Sequence, residues 1–156
     1  MIKFLKKIIE KIVLVPVCWR NRRIVAKYPF LQCYSADPDD FSWTQLDYLP
    51  VGWRRIVLDY MKRLREILVK YNELYNFKIV EVKEKWGVAC IYHAGLYSGE
   101  CDNEIDVLMA ELSRETSKIC CYCGKPATVH SVGYILPFCD RCARKTKFKV
   151  KPLSEN

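Results

Sequence analysis

Two pairs of cysteines, Cys120/Cys123 and Cys139/Cys142, follow a Cys-x2-Cys-x15-Cys-x2-Cys pattern inside the stretch ICCYCGKPATVHSVGYILPFCDRC. Thiols spaced this way serve redox exchange, a disulfide staple or a metal ion. The spacing is that of a four-thiolate metal site. Two cysteines three apart in a tight turn reach one tetrahedral ion with bonds of about 2.3 Å. Gly124, directly after the first pair, suits the backbone angles of such a knuckle. The fifteen intervening residues are enough for a short hairpin that brings back the second pair, with Gly133, Tyr134, Ile135 and Leu136 expected as its second strand. A thioredoxin-like redox site needs one such pair at a strand-to-helix junction, not two matched pairs. The odd total of nine cysteines does not close into a disulfide framework. The expected cofactor is therefore Zn2+. Four thiolates fill its coordination shell, which makes its role structural, whereas a catalytic zinc keeps one position open. Iron–sulfur ligation by the same four residues shares the spacing. Cys121 lies inside the first knuckle and is expected to point away from the ion. Cys18, Cys33, Cys90 and Cys101 receive no role.

Other chemistry-bearing groups are sparser. A nucleobase deaminase is excluded, because neither His93 nor His130 begins an H-x-E motif and no proline precedes Cys139. The cysteine frame also resembles that of HNH-type nucleases, which would put His130 at the general-base position. The second histidine and the downstream Asn or His of that family are not found near it. Cys90 and His93 could pair as nucleophile and base, but three apart on a strand they face opposite sides. The turn sequence KEKWG combines lysines with Trp86, which is expected to be half-buried at a hairpin tip. No phosphate-cradling loop, G-x-S-x-G or H-E-x-x-H is present.

These groups must be positioned by the elements around them. Ile2, Leu5, Ile8, Ile9, Ile12 and Val13 recur at helical spacing opposite lysines, which predicts a basic amphipathic helix. Such a face suits a membrane surface, or the protein's own core. Pro16 interrupts it, and a second short helix is expected through VCWRNRRIVAKY, closing before Pro29. A turn-rich acidic loop follows. From Val51 to Tyr75, Ile56, Val57, Tyr60, Leu64, Ile67, Leu68 and Tyr71 keep one helical face. Then the period changes to two: Phe77, Ile79 and Glu81 alternate with Lys78, Val80 and Val82, Trp86-Gly87 offers a turn, and VACIYH is β-rich. A further helix is expected from a cap at Asp102 or Asn103, with Ile105, Leu108, Met109 and Leu112 as its buried stripe.

The chain has 156 residues, 51% hydrophobic, and a net charge of +8. Residues 1–30 carry +7 and residues 118–156 carry +6, while 31–50 and 101–117 each carry −4. Basic ends of this kind favour an anionic partner: nucleic acid, lipid headgroups or an acidic protein face. The candidate contacts are Arg20, Arg22 and Arg23 near one end and Arg141, Arg144, Lys145 and Lys147 near the other. Glu10 and Lys11 interrupt the apolar N-terminal run, and the uncharged stretch Ile12–Trp19 is shorter than a signal-peptide core or a membrane span. The expected location is the cytoplasm of a host bacterial cell, with peripheral membrane contact through the N-terminal helix as a further option.

Five segments recur in order: AKYPFL (Ala26–Leu31), TQLDYLPVGWR (Thr44–Arg54), VKEKWG (Val82–Gly87), ELS (Glu111–Ser113) and CCYCGKPAT…GYILPFCDRC. Together they resemble a family of small, largely uncharacterised proteins of bacteriophages and prophages, over about residues 20–145. Its members carry KYPFL, LD-x-x-P-x-GW and KEK-aromatic-G motifs and a C-terminal Cys-x2-Cys-Gly…Cys-x2-Cys module. VACIYH departs from the L-R-x-Y strand common in that family, and the N-terminal helix is less general. The resemblance implies a phage origin and a zinc module, and no activity.

The expected fold is α+β: a long helix and a β-hairpin core, a C-terminal four-cysteine zinc ribbon and an N-terminal amphipathic helix. Residues 1–28 form the basic helical segment, 29–117 the core, 118–147 the ribbon and 148–156 a flexible basic tail. The expected function is a non-enzymatic phage accessory protein that binds nucleic acid or a host protein, with no small-molecule substrate. Modulation of host defence or transcription by protein contact alone, and HNH-like cleavage, are the alternatives.

Overall fold

The computed structural model describes residues 16–33, 37, 39–95 and 97–153. The amphipathic helix expected over the first fifteen residues lies outside them. The described chain mixes helix and strand in the α+β manner. Helix α1 covers residues 16–27 and is followed by single 3-10 turns at Pro29–Leu31, Gln45–Tyr48 and Val51–Trp53. Helix α2 (Arg54–Lys70) leads into the antiparallel hairpin β1 (Lys78–Lys85) and β2 (Val88–Ala94), and helix α3 (Gly99–Thr116) crosses back over it. The C-terminal third forms a second, three-stranded antiparallel sheet of order β4-β3-β5, from β3 (Val129–Ser131), β4 (Pro137–Phe138) and β5 (Val150–Pro152), with the one-turn helix α4 (Asp140–Ala143) between β4 and β5.

Helix α2 buries Val57, Tyr60, Met61, Leu64 and Leu68, spaced three and four apart, as the sequence period requires. It is shorter than expected, ending at Lys70 rather than Tyr75. Asn72 adopts φ +58°, the left-handed conformation that stops helices, and Glu73 N–H reaches back to Leu68 C=O at 2.7 Å. Helix α3 begins earlier than expected. Ser98, not Asp102 or Asn103, caps it by accepting the Cys101 N–H at 3.3 Å. Its buried stripe is Cys101, Ile105, Leu108 and Leu112, while Met109 is half-buried.

The hairpin turns at Trp86-Gly87 as the sequence predicts, both with positive φ. A register shift between Ile79 and Glu81 inserts Val80 as an extra residue. This bulge breaks the strict alternation, so Ile79 and Val82 are buried, whereas Val80 and Glu81 face solvent. The outer edge of β2 is closed by α3. Ala89 N–H donates to Thr116 Oγ1 at 3.0 Å, and Ser113 Oγ donates to Ala89 C=O at 2.8 Å. The Thr116 hydroxyl, fully buried, donates in turn to Leu112 C=O at 2.9 Å. Thr116→Val is therefore expected to destabilise the fold by about 1–3 kcal/mol, because it leaves the Ala89 amide buried without an acceptor. Urea unfolding measures this, and an unchanged midpoint refutes it.

One hydrophobic cluster runs through the whole described chain. Trp53, Val57 and Met61 of the α2 region, Ile79 and Val82 of the hairpin and Leu112 of α3 join Cys120, Cys121, Phe138 and Cys139. The cysteine module is thus packed into the core. The tail expected to be flexible from residue 148 instead supplies β5, with Val129, His130 and Ser131 opposite Pro152, Lys151 and Val150. β3 gains from it a second hydrogen-bonded neighbour.

Candidate metal centre

The first knuckle starts where α3 ends. Cys120 N–H donates to Lys125 C=O at 2.7 Å and Cys120 C=O accepts from Gly124 N–H at 2.9 Å, closing the turn that carries Cys123. Gly124 holds φ +74°, a conformation open to glycine and costly for other residues. The second knuckle is the start of α4, where Ala143 N–H bonds the Cys139 carbonyl at 2.8 Å. Thr128 Oγ1 donates to the Asp140 carboxylate, tying α4 to the residue before β3.

These turns bring the sulfurs of Cys120, Cys123, Cys139 and Cys142 within 4.8 Å of one another. Cys123 Sγ lies 3.6 Å from Cys139 Sγ. A tetrahedral ion with sulfur bonds of about 2.3 Å separates its ligands by about 3.8 Å, so the cage has the size the ion needs. The same distance is far beyond the roughly 2.05 Å of a disulfide, and all nine cysteines are free. Among the described residues these four form the group of His, Cys, Asp or Glu side chains placed to share an ion. Cys120 and Cys139 are buried, Cys142 is half-buried and Cys123 is exposed, so the ion would sit beneath the surface with one thiolate toward solvent.

The thiols divide sharply in their acidity. The backbone N–H of Cys142 holds the Cys139 sulfur down to about 7, and the neighbouring sulfurs reinforce this. Burial, together with the same neighbours, pushes Cys142 up to about 12. Ionising one sulfur of the cluster makes the next harder to ionise, a conflict that a divalent cation removes. Cys121 takes no part in the cage. Its side chain is 1% exposed in the core, and burial pushes its thiol up to about 12.

The knuckle is fastened to the start of α2. Gly52 N–H donates to Cys121 C=O at 2.9 Å, and the Trp53 indole N–H donates to Ile119 C=O at 2.9 Å. The spacing of Pro50, Gly52 and Trp53 signals a helix start. That this start docks on the metal knuckle is a long-range contact with no local signal.

The hairpin within the module differs from expectation. Residues 133–136, expected as its second strand, form the connecting turn, and the strand is Pro137–Phe138. Ser131 causes this. Its hydroxyl donates to Tyr134 C=O and accepts the Leu136 N–H at 2.8 Å, closing the loop on itself. His130 stands half-buried on β3, with Nδ1 3.2 Å from the Ser131 carbonyl, and belongs to no metal-binding group among the described residues. Cys90 lies opposite Lys83 and His93 opposite Ile79 in the hairpin register, and the His93 ring stacks on Phe77 and lies tilted to Tyr97.

The basic residues occupy two separate places. Arg20 is held by Asn21 Oδ1 at 2.9 Å and by Asp47 at 3.6 Å, inside the fold's own polar contacts. Arg22 lies 5.0 Å over the Phe41 ring and Arg23 3.9 Å over Trp19. Arg141, Arg144, Lys145 and Lys147 are exposed on α4 and the segment behind it. Trp86, expected to be half-buried, is 71% exposed. No helix among the described residues is long and apolar enough to cross a membrane. No family model, curated protein or solved structure matches the chain.

Proposed function

We propose that the chain is a zinc-stabilised, non-enzymatic binding module that engages nucleic acid through its basic C-terminal surface. The closed four-sulfur cage carries this reading. Four thiolates leave an ion no open position for water or substrate, and two of the four are buried in the common core. Such an ion stabilises a shape, here a zinc ribbon whose exposed Arg and Lys side chains face solvent. Cationic side chains of this kind bind phosphate and release counterions, which makes affinity fall steeply with salt. The ordered motifs between Ala26 and Cys142 support an accessory role in a bacteriophage or prophage.

Native mass spectrometry of the purified chain is expected to find one zinc per chain. Iron with visible absorbance would replace zinc with a cluster. Fluorescence anisotropy with labelled oligonucleotides is expected to show log-affinity falling linearly with log salt. Absence of binding at low salt refutes the nucleic-acid reading and leaves the protein-contact alternative. Plasmid cleavage with Mg2+ or Mn2+ that disappears in His130→Ala would put HNH-type chemistry in its place.

A further inference from the structure

The hairpin tip carries two features that work against folding. Trp86 adopts φ +56° at the first position of the two-residue turn, where Asn or Gly is favoured and a bulky side chain is strained. It also leaves its ring 71% exposed. A residue that is both strained and unburied contributes little to stability, and strain of this kind clusters at binding sites.

The surroundings of Trp86 specify what it would meet. Its neighbour Gly87 sits against the C-terminal sheet: a Cβ there would lie 3.1 Å from Ile135 Cγ2 and 3.5 Å from Pro137 Cδ. Cross-strand partners share a sheet face, so Pro137, His130 and Lys151 lie on one face. Val132, two residues beyond His130, and Lys149, two before Lys151, continue it, joined by the Val132 N–H to Lys149 C=O bond at 2.8 Å. The hairpin tip therefore rests against Ile135 and Pro137 at the β4 edge of the sheet, and Lys149 and Lys151 belong to the opposite edge of the same face, across β3. Both lysines are exposed and have no ion-pair partner among the described residues. Glu84 couples a second aromatic to the first. One carboxylate oxygen accepts the Gly87 N–H at 2.8 Å and the other accepts the Tyr134 hydroxyl. Tyr134 is 60% exposed.

We infer that Trp86 and Tyr134, braced by Glu84, form a stacking platform for single-stranded nucleic acid whose backbone runs across the sheet toward Lys149 and Lys151. This rests on the nucleic-acid reading above and gives it a site and a substrate class. Exposed aromatic rings stack on unpaired bases, which a duplex keeps covered, while nearby lysines hold the phosphates. Glu84 is a positioning residue, since it fixes both aromatic segments without facing the strand.

The test compares anisotropy of labelled oligo(dT) of twenty nucleotides with that of a duplex of equal length, using the full zinc-loaded chain. Trp86→Asn is expected to weaken single-strand binding by roughly 5- to 100-fold, the loss of one base stack. The same variant is expected to melt at an equal or higher temperature, because Asn-Gly is the favoured pair for this turn. A merely structural tryptophan would lower the melting temperature instead. Lys149→Gln and Lys151→Gln are each expected to reduce the salt slope by about 0.7. Preference for the duplex, or wild-type affinity in both Trp86→Asn and Tyr134→Ala, overturns the platform and leaves nucleic-acid binding in place elsewhere. Failure of the wild-type chain to bind either oligonucleotide overturns both.

Discussion

Chelation is expected to unfold the protein as a whole, with loss of helical circular dichroism from α2 and α3 as well as from the cysteine module. A structural zinc in a four-ligand site contributes on the order of 10–16 kcal/mol of apparent binding free energy. That is comparable to the roughly 5–15 kcal/mol by which a domain is stable. The loss spreads because the core is continuous. Cys120, Cys121, Phe138 and Cys139 pack in the same cluster as Trp53, Val57 and Leu112, so releasing the knuckles exposes the faces of both long helices. Cys139→Ser is expected to act like the chelator. Cys121→Ala should keep full metal stoichiometry while costing some packing, because its sulfur lies outside the cage. Thermal melts with and without chelator decide the matter, and coincident curves would refute a structural ion.

Gly52→Ala is expected to be strongly destabilising without touching a ligand. A Cβ at position 52 would lie 2.3 Å from the Cys120 carbonyl oxygen and 2.7 Å from the Cys121 carbonyl carbon and oxygen. All three are backbone atoms of the knuckle, so relief requires separating the first cysteine pair from the start of α2. The approach is mutual: a Cβ on Gly124 would come within 2.8 Å of the Gly52 carbonyl oxygen. The expected cost is about 3 kcal/mol or more, at the upper end for overpacking, together with weaker retention of the metal ion in a competition with a chromogenic chelator. Gly99→Ala is the control. Nothing lies within 4 Å of a Cβ at that position, which opens α3, and the change is expected to stabilise by about 0.5–1 kcal/mol. Equal melting temperatures for the two variants would show that the Gly52 contact is not what locks the knuckle.

Much of the secondary structure was legible because its causes are local. The three-and-four spacing of Val57, Tyr60, Leu64 and Leu68 announces α2, and Trp86-Gly87 between β-rich runs announces the hairpin. The ends were misjudged where a single residue overrides the period. Asn72 stops α2 before Tyr75, Ser98 starts α3 before Asp102, and Val80 bulges out of β1. In each case a backbone conformation or side-chain hydrogen bond outweighs the apolar pattern.

The candidate site divides in the same way. The paired cysteines declare themselves by spacing alone, because two thiols three residues apart meet one ion through local chain geometry. Their convergence into a cage, its attachment to Gly52 and Trp53, and the addition of residues 150–152 as a third strand are tertiary facts. They depend on backbone atoms up to about seventy residues apart in sequence, and a one-dimensional pattern carries no record of such contacts. Trp86 marks the same boundary. Its sequence neighbours predict a turn, but only the packing of Gly87 against Ile135 and Pro137 decides that the hairpin tip meets the other sheet while Trp86 is left in solvent.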